Sequence, residues 1–256
     1  MTLTFVGLGL GSAKDISLRG LEIVKGADLI FFESYTSLLE CSVKDLEELY
    51  GKKVVLADRE LTEKRADEIL GPAKEKRVVF LVVGDVFSAT THTDLLLRAK
   101  KEGIKVDVVF NASVLTAVGL TGLSLYRFGK TASVPFPEKS FFPEAAYDVV
   151  KQNLSCDLHS LLLLDIKADV DRYMTVKKGI DILLELEAKR KEGVIRKDML
   201  CVGCSHLGSD NVIFSGSLEE VREFDFRGPP QVLIIPGSLH FVEEEAVKGF
   251  RETKSL

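Results

Sequence analysis

Short, strongly apolar runs alternate with amphipathic stretches along almost the whole chain, and this rhythm constrains the fold most. Leu3–Leu8, Leu29–Phe32, Lys53–Ala57, Val78–Val83 and Val106–Phe110 read as strands. The most apolar of these runs suit strands covered on both faces. Between them lie helical stretches. Ser17 can cap one that carries Leu21 and Val24 on one face. Leu46–Tyr50 closes a short one, a charged one spans Thr62 to Lys76, and another covers Thr93–Glu102. Strand, helix and strand joined by short loops predict an α/β fold, a mostly parallel sheet with helices on both faces.

The rhythm then repeats. Thr131–Pro135, Ser160–Asp165, Met199–Gly203, Asn211–Ser215 and Val232–Ile235 read as strands. Pro143–Asn153, Val176–Glu192 and Phe241–Arg251 read as helices, the second stopped by Gly193. At 256 residues the chain is at the size where one core usually splits. The apolar, glycine-spaced stretch Ala112–Gly129 is the expected crossover, dividing the chain into domains 1–115 and 116–256. Glu243, Glu244 and Glu245 are expected on a solvated first helical turn, favoured by the helix dipole.

Composition removes several function classes. No run approaches the ~20 apolar residues of a membrane-spanning helix. Met1–Gly11 has no basic segment ahead of an apolar one, so no secretory leader is expected. A net charge of −5 argues against a chain that lives on nucleic-acid phosphates. The four cysteines are expected to be reduced, as in a cytoplasmic protein, and Cys201 and Cys204 read as packing residues of an apolar strand rather than a redox pair. The histidines stand apart, without the spacing of helical metal ligands, so no metal site is expected.

In open parallel sheets, ligands bind beyond the carboxyl ends of the strands. Three such ends carry chemistry here. Gly7-Leu8-Gly9-Leu10-Gly11 lets backbone approach a ligand, and Glu33 follows at the distance of a ribose-binding acid. The dinucleotide fingerprint fails, however, because Ser12 stands where its third glycine belongs. Gly84-Asp85 sets a carboxylate on a glycine turn after the most apolar strand, a place for a ribose hydroxyl, an ammonium or a plain Asx turn. Leu164-Asp165-Ile166-Lys167 puts an acid beside a base, either as a polar clamp or as an internal ion pair.

These segments together resemble one family. Phe5-Val6-Gly7-Leu8-Gly9-Leu10-Gly11, Glu33-Ser34-Tyr35-Thr36-Ser37, Gly84-Asp85 with Ala89-Thr90-Thr91-His92, Ala112-Ser113-Val114, Leu164-Asp165-Ile166-Lys167-Ala168 and Pro236-Gly237-Ser238-Leu239-His240 are similar to the diphthine synthases, within the tetrapyrrole methylase superfamily. The resemblance runs nearly end to end. It implies two α/β domains with mainly parallel sheets, S-adenosylmethionine held in the cleft between them, and a cytoplasmic homodimer. It also implies methylation of the amine on an aminocarboxypropyl-modified histidine of translation elongation factor 2. Cofactor contacts are carried over to Leu10, Asp85, Ser88, Ser113, Val114, Leu164, Leu207 and Gln231. Gln231 departs from a common histidine, and Ser205-His206-Leu207-Gly208 from an Ala-Arg-Ala-Gly-like segment. Asp165 and Glu33 are the candidate proton acceptors. A small-molecule tetrapyrrole methyltransferase and a non-catalytic adenosyl- or dinucleotide-binding module are the alternatives.

Overall fold

In the computed structural model, which describes residues 1–138 and 142–251, the first half of the chain folds around a parallel sheet. Its strands are β1 (Thr2–Gly7), β2 (Leu29–Glu33), β3 (Val55–Ala57), β4 (Arg77–Val82) and β5 (Lys105–Val109), in the order β3-β2-β4-β1-β5. Every pairing is parallel, with Thr2 opposite Arg77 and Gly7 opposite Val82. Helices α1 (Leu18–Gly26), α2 (Val43–Tyr50), α3 (Arg59–Glu63), α4 (Asp67–Ala73) and α5 (Thr93–Lys101) make the connections. Alternate residues of β4 enter two separate cores: Val78, Phe80 and Val82 on one face, Val79 and Leu81 on the other. This is why the strand reads as unbroken apolar sequence. Phe80→Ala would remove a fully buried ring that meets Phe5 edge-on, at a cost of about 3–5 kcal/mol.

The single charged helix expected from Thr62 to Lys76 is two helices. The Asp58 side chain accepts from Leu61 N–H and starts α3 early. Leu61 and Ala66 both enter the same core, yet five residues apart they would point in different directions on one continuous helix. The break between α3 and α4 resolves that conflict.

The second half carries β6 (Ala132–Val134), α6 (Val114–Ala117), α7 (Ala145–Ser155), β7 (Ser160–Leu164), the short pair β8 (Ile166–Lys167) and β9 (Arg172–Tyr173), α8 (Val176–Arg190), β10 (Leu200–Ser205), β11 (Val212–Ser217), α9 (Leu218–Glu223), β12 (Gln231–Ile235) and α10 (Phe241–Lys248). Its five-stranded sheet runs β11-β10-β12-β7-β6. Here the expectation of a mainly parallel sheet is corrected. Only β6–β7 is parallel, and β10–β11, β10–β12 and β12–β7 are antiparallel. The link between Ser205 and Val212 is far shorter than the dozen or so residues a parallel crossover requires.

Two further expectations change. Helix α8 ends before Gly193, at Lys191 in the left-handed conformation. The Glu187 carboxylate accepts from the N–H groups of Gly193, Val194 and Ile195 and turns the chain out of the helix. Glu243 is not solvated: it is 4% exposed. Its oxygens accept from Ser124 N–H, His240 N–H, Arg127 Nη1 and His159 Nε2. A helical first turn marks where acid is favoured, but it does not say whether loops fold over it.

The chain divides into two compact units. One comprises Met1–Val114 with Lys167–Asp171, and the other Leu115–Ile166 with Arg172–Leu256. No helix among the described residues is long and apolar enough to cross a membrane.

Candidate active site

In the first unit the connections leave β1 and β4 toward opposite sides of the sheet, which makes their carboxyl ends the switch point where open α/β sheets bind ligands. The two loops there run side by side. Gly9 N–H donates to the Gly84 carbonyl at 3.2 Å, and Gly84 N–H to the Gly9 carbonyl at 2.8 Å. Both glycines have positive φ, +79° and +77°, a conformation glycine adopts without penalty. A Cβ on Gly7 would lie 2.7 Å from the Gly84 carbonyl oxygen. Glycine is therefore required by the approach of one loop to the other, before any ligand is considered.

Asp85 is buried beside this bridge. Its Oδ1 accepts from Phe87 N–H at 3.2 Å and Ser88 Oγ at 2.9 Å, and its Oδ2 from Asn111 N–H at 3.2 Å. Leu10 approaches Gly84, and the Ala112 carbonyl lies against the same glycine. Leu10, Asp85, Ser88 and the Ala112–Val114 segment thus gather at one strand-end cluster. Ser113 is buried and Val114 opens α6.

Two residues outside the expected site set, Asn111 and Asp15, brace this cluster. The Asn111 side-chain amide donates to the carbonyls of Gly7 at 2.9 Å and Asp15 at 3.0 Å. Asp15 Oδ2 accepts from Gly11 N–H at 2.7 Å and Ser12 N–H at 2.9 Å. In a dinucleotide site, amides at this turn face a pyrophosphate. Here a carboxylate of the chain already holds them. Asp15 had no site signal beyond its place one turn after a glycine loop, and Asn111, just past the end of β5, had none.

Glu33 lies at the end of β2, fully buried. It accepts from Tyr35 N–H, Thr36 N–H and Thr36 Oγ1 at 2.5–2.7 Å. Burial and three donors suit a turn lock.

In the second unit another group of expected residues shares one sheet edge. Leu164 ends β7, Gln231 begins β12, and Ser205 ends β10, with Val232 opposite Leu163 and Gln231 opposite Ser205. Leu207, which is buried, follows in the loop. Antiparallel pairing brings these distant positions together. The Gln231 side chain is committed within the protein: Oε1 accepts from Val176 N–H at 2.8 Å, and Nε2 donates to the Arg227 and Gly228 carbonyls. Any contact it makes with a ligand is left to its backbone. Asp165 is half-buried and accepts from Phe136 N–H at 3.0 Å. Cys201 and Cys204 lie on opposite faces of β10 and burial raises both thiols, Cys204 to about 12, so neither is a thiolate at neutral pH.

The family model for tetrapyrrole (corrin/porphyrin) methylases matches residues 2–222. The chain belongs to that family. Among tetrapyrrole methylases it stands with the diphthine synthases. The diphthine synthase of Methanocella arvoryzae is 47% identical over 256 residues, covering 98% of this chain and 99% of that one. The diphthine methyl ester synthase of Dictyostelium discoideum is 43% identical over 273 residues, covering 100% of both. A crystal structure of diphthine synthase superposes with a TM-score of 0.89 at 38% identity, covering 99% of this chain and 97% of that one. As a tetrapyrrole methylase, the protein is a methyltransferase.

Proposed function

We propose that the protein transfers methyl groups from S-adenosylmethionine to the amine of the aminocarboxypropyl-modified histidine of translation elongation factor 2, forming diphthine. The single observation that carries the choice of cofactor is the Asp15 carboxylate on the Gly11 and Ser12 amides. A dinucleotide would bring its phosphates to that carboxylate. S-adenosylmethionine has no phosphate and carries a cationic sulfonium, so two acidic side chains, Asp15 and Asp85, suit it.

When bound, S-adenosylmethionine supplies an activated methyl group. The chain's own residues position the reactants. Leu10, Asp85, Ser88, Ser113 and Val114, gathered at the strand-end cluster of the first unit, hold the donor. Fixing donor and amine in line accounts for roughly 7–11 kcal/mol of barrier lowering in favourable cases. The amine must be deprotonated before each attack. Asp165, half-buried with a single donor on its Oδ2, is better placed to take that proton than Glu33, whose oxygens serve its own turn.

The active species is a homodimer in the cytoplasm, where the factor works. Tyr126, Phe241 and Val242, with Leu120 and Leu125, leave large apolar surface exposed in the second unit, and a second copy would cover it. The name of the Dictyostelium relative favours one extension, a further methyl on the carboxylate.

Incubating the protein with labelled S-adenosylmethionine and precursor-modified factor tests the assignment. Mass added to the modified histidine supports it, and the count of methyl groups separates diphthine from its ester. A factor whose mass is unchanged refutes it.

A further inference from the structure

Asp165 and Phe136 stand just past the carboxyl ends of β7 and β6, the parallel pair of the second sheet, in which Val134 lies opposite Leu164. This is the end at which parallel strands receive ligands. The two residues are tied together, since Phe136 N–H donates to Asp165 Oδ2 at 3.0 Å. Phe136 is buried and shares its core with Leu164 and Met174. One face of its ring is covered by Arg172, whose guanidinium carbon lies 3.8 Å from the ring centre. The chain returns to this place through Met174, whose N–H donates to the Asp165 carbonyl at 2.9 Å.

Arg172 is exposed, and among the described residues its guanidinium meets no carboxylate. That sets it apart from Arg127, Arg190, Arg196 and Arg222 of the same unit, each held by at least one acid. Stacking on a ring orients the guanidinium and uses none of its N–H groups, so the fork stays available for a planar anion. A carboxylate is the group that this fork matches, through two parallel N–H···O bonds. Asp165, half-buried, is also incompletely used: its Oδ1 has no donor among the described residues. An acid and a base thus flank one residue without pairing with each other. The Phe136 amide holds the acid and the Phe136 ring holds the base, which keeps them apart. A ligand with an amine and a carboxylate on one carbon satisfies both at once.

We propose that Arg172 receives the carboxylate of the substrate's amino-acid head, with the amine toward Asp165. The inference rests on the methyltransferase function proposed above, in which Asp165 takes the amine's proton. The reaction treats the two contacts differently. Each methyl group replaces an N–H of the amine, so the amine loses hydrogen-bond donors as it is built up. The carboxylate takes no part in N-methylation and keeps its charge. Arg172 is therefore the contact that stays constant through successive transfers, and it selects an α-amino acid head over a simple amine.

Arg172→Gln in the full chain tests it, because it keeps a side chain over the ring and removes the charge. The expected result is a KM for the precursor-modified factor raised about tenfold, with kcat lowered by less than KM is raised. Arg172→Lys, which keeps the charge but not the fork, should fall between the two. S-adenosylhomocysteine affinity should be unchanged, and the melting temperature should stay within about 3 °C, which separates loss of a substrate contact from loss of packing. An unchanged KM with methylation intact overturns the proposal and leaves the methyltransferase function standing. A second arm does not depend on the factor being the substrate. The side-chain nitrogen NMR signal of Arg172, identified by its absence in Arg172→Gln, is followed while L-2-aminobutyrate is added, with L-2-aminobutanamide as the control lacking the carboxylate. A saturable shift with the acid alone supports the contact even if the factor is not methylated. No shift with the acid, or the same shift with the amide, overturns it.

Discussion

The backbone N–H of Asn111 donates to Oδ2 of Asp85, and the Asn111 side chain reaches back to the Gly7 carbonyl. One residue at the end of β5 thus fastens the ends of β4 and β1. Asp85→Ala should cost about 1–3 kcal/mol, since Phe87, Ser88 and Asn111 lose an acceptor. The variant should still fold and bind S-adenosylhomocysteine more weakly. Thermal unfolding and titration calorimetry read the two effects separately, and unchanged affinity would remove Asp85 from the cofactor site.

Asn111→Ala should act on the same loops from the other side. It leaves the Gly7 and Asp15 carbonyls without their amide donor, while touching no backbone of the Gly84 turn. A stability loss of about 1–3 kcal/mol in urea unfolding is expected. A loss below a few tenths would mean that water replaces the amide.

The Asp15 carboxylate makes a prediction about ligand choice. Calorimetry with NAD should show no binding under conditions where S-adenosylhomocysteine binds. Asp15→Asn removes the charge, and the glycine loop should then accept inorganic phosphate more readily than in the parent chain. Tight NAD binding by the parent chain would contradict the cofactor assignment.

Gly203 lies mid-strand in β10, and a Cβ there would run into the Phe226 ring. Gly203→Ala should lose about 1–3 kcal/mol by overpacking, and Gly203→Ala with Phe226→Leu should recover part of it. Denaturant midpoints of the single and double variants check this.

Stability should fall on acidification in two stages. His92 and His159 are held below the ordinary imidazole value chiefly by burial, so the unfolded chain takes up their protons first. Their contribution is full above about pH 6.5 and declines as the pH drops below it. Burial works against the charge on Glu243, but its N–H donors outweigh that and bring it from 4.5 to about 2. That is on the order of 3 kcal/mol, present above about pH 4.5 and lost as the pH falls toward 2. Urea midpoints from pH 7 to pH 3 should show both stages, and a flat profile between pH 6.5 and 5 would contradict the histidine assignment.

The first sheet was legible because its strands are covered on both faces, so Val78–Val83 is apolar without interruption and its glycine end announces a turn. The second sheet was less so. Strand direction there depends on link length and pairing partners, which the apolar pattern of Leu200–Ser205 and Val212–Ser217 does not encode. Asp85 stood out because it follows a glycine at a strand end. Asn111 and Asp15 did not, because their roles depend on loops folded from elsewhere in the chain. Glu243 was misread for the same reason: Arg127 and His159, which enclose it, are far away in sequence.

Lys167–Asp171 belongs to the first unit although the chain on both sides of it belongs to the second. On the ribosome the first unit is therefore not whole when Val114 emerges. The first unit is completed only by residues that lie within the sequence of the second, and neither unit is a contiguous fragment that a proteolytic cut or a truncation could release intact.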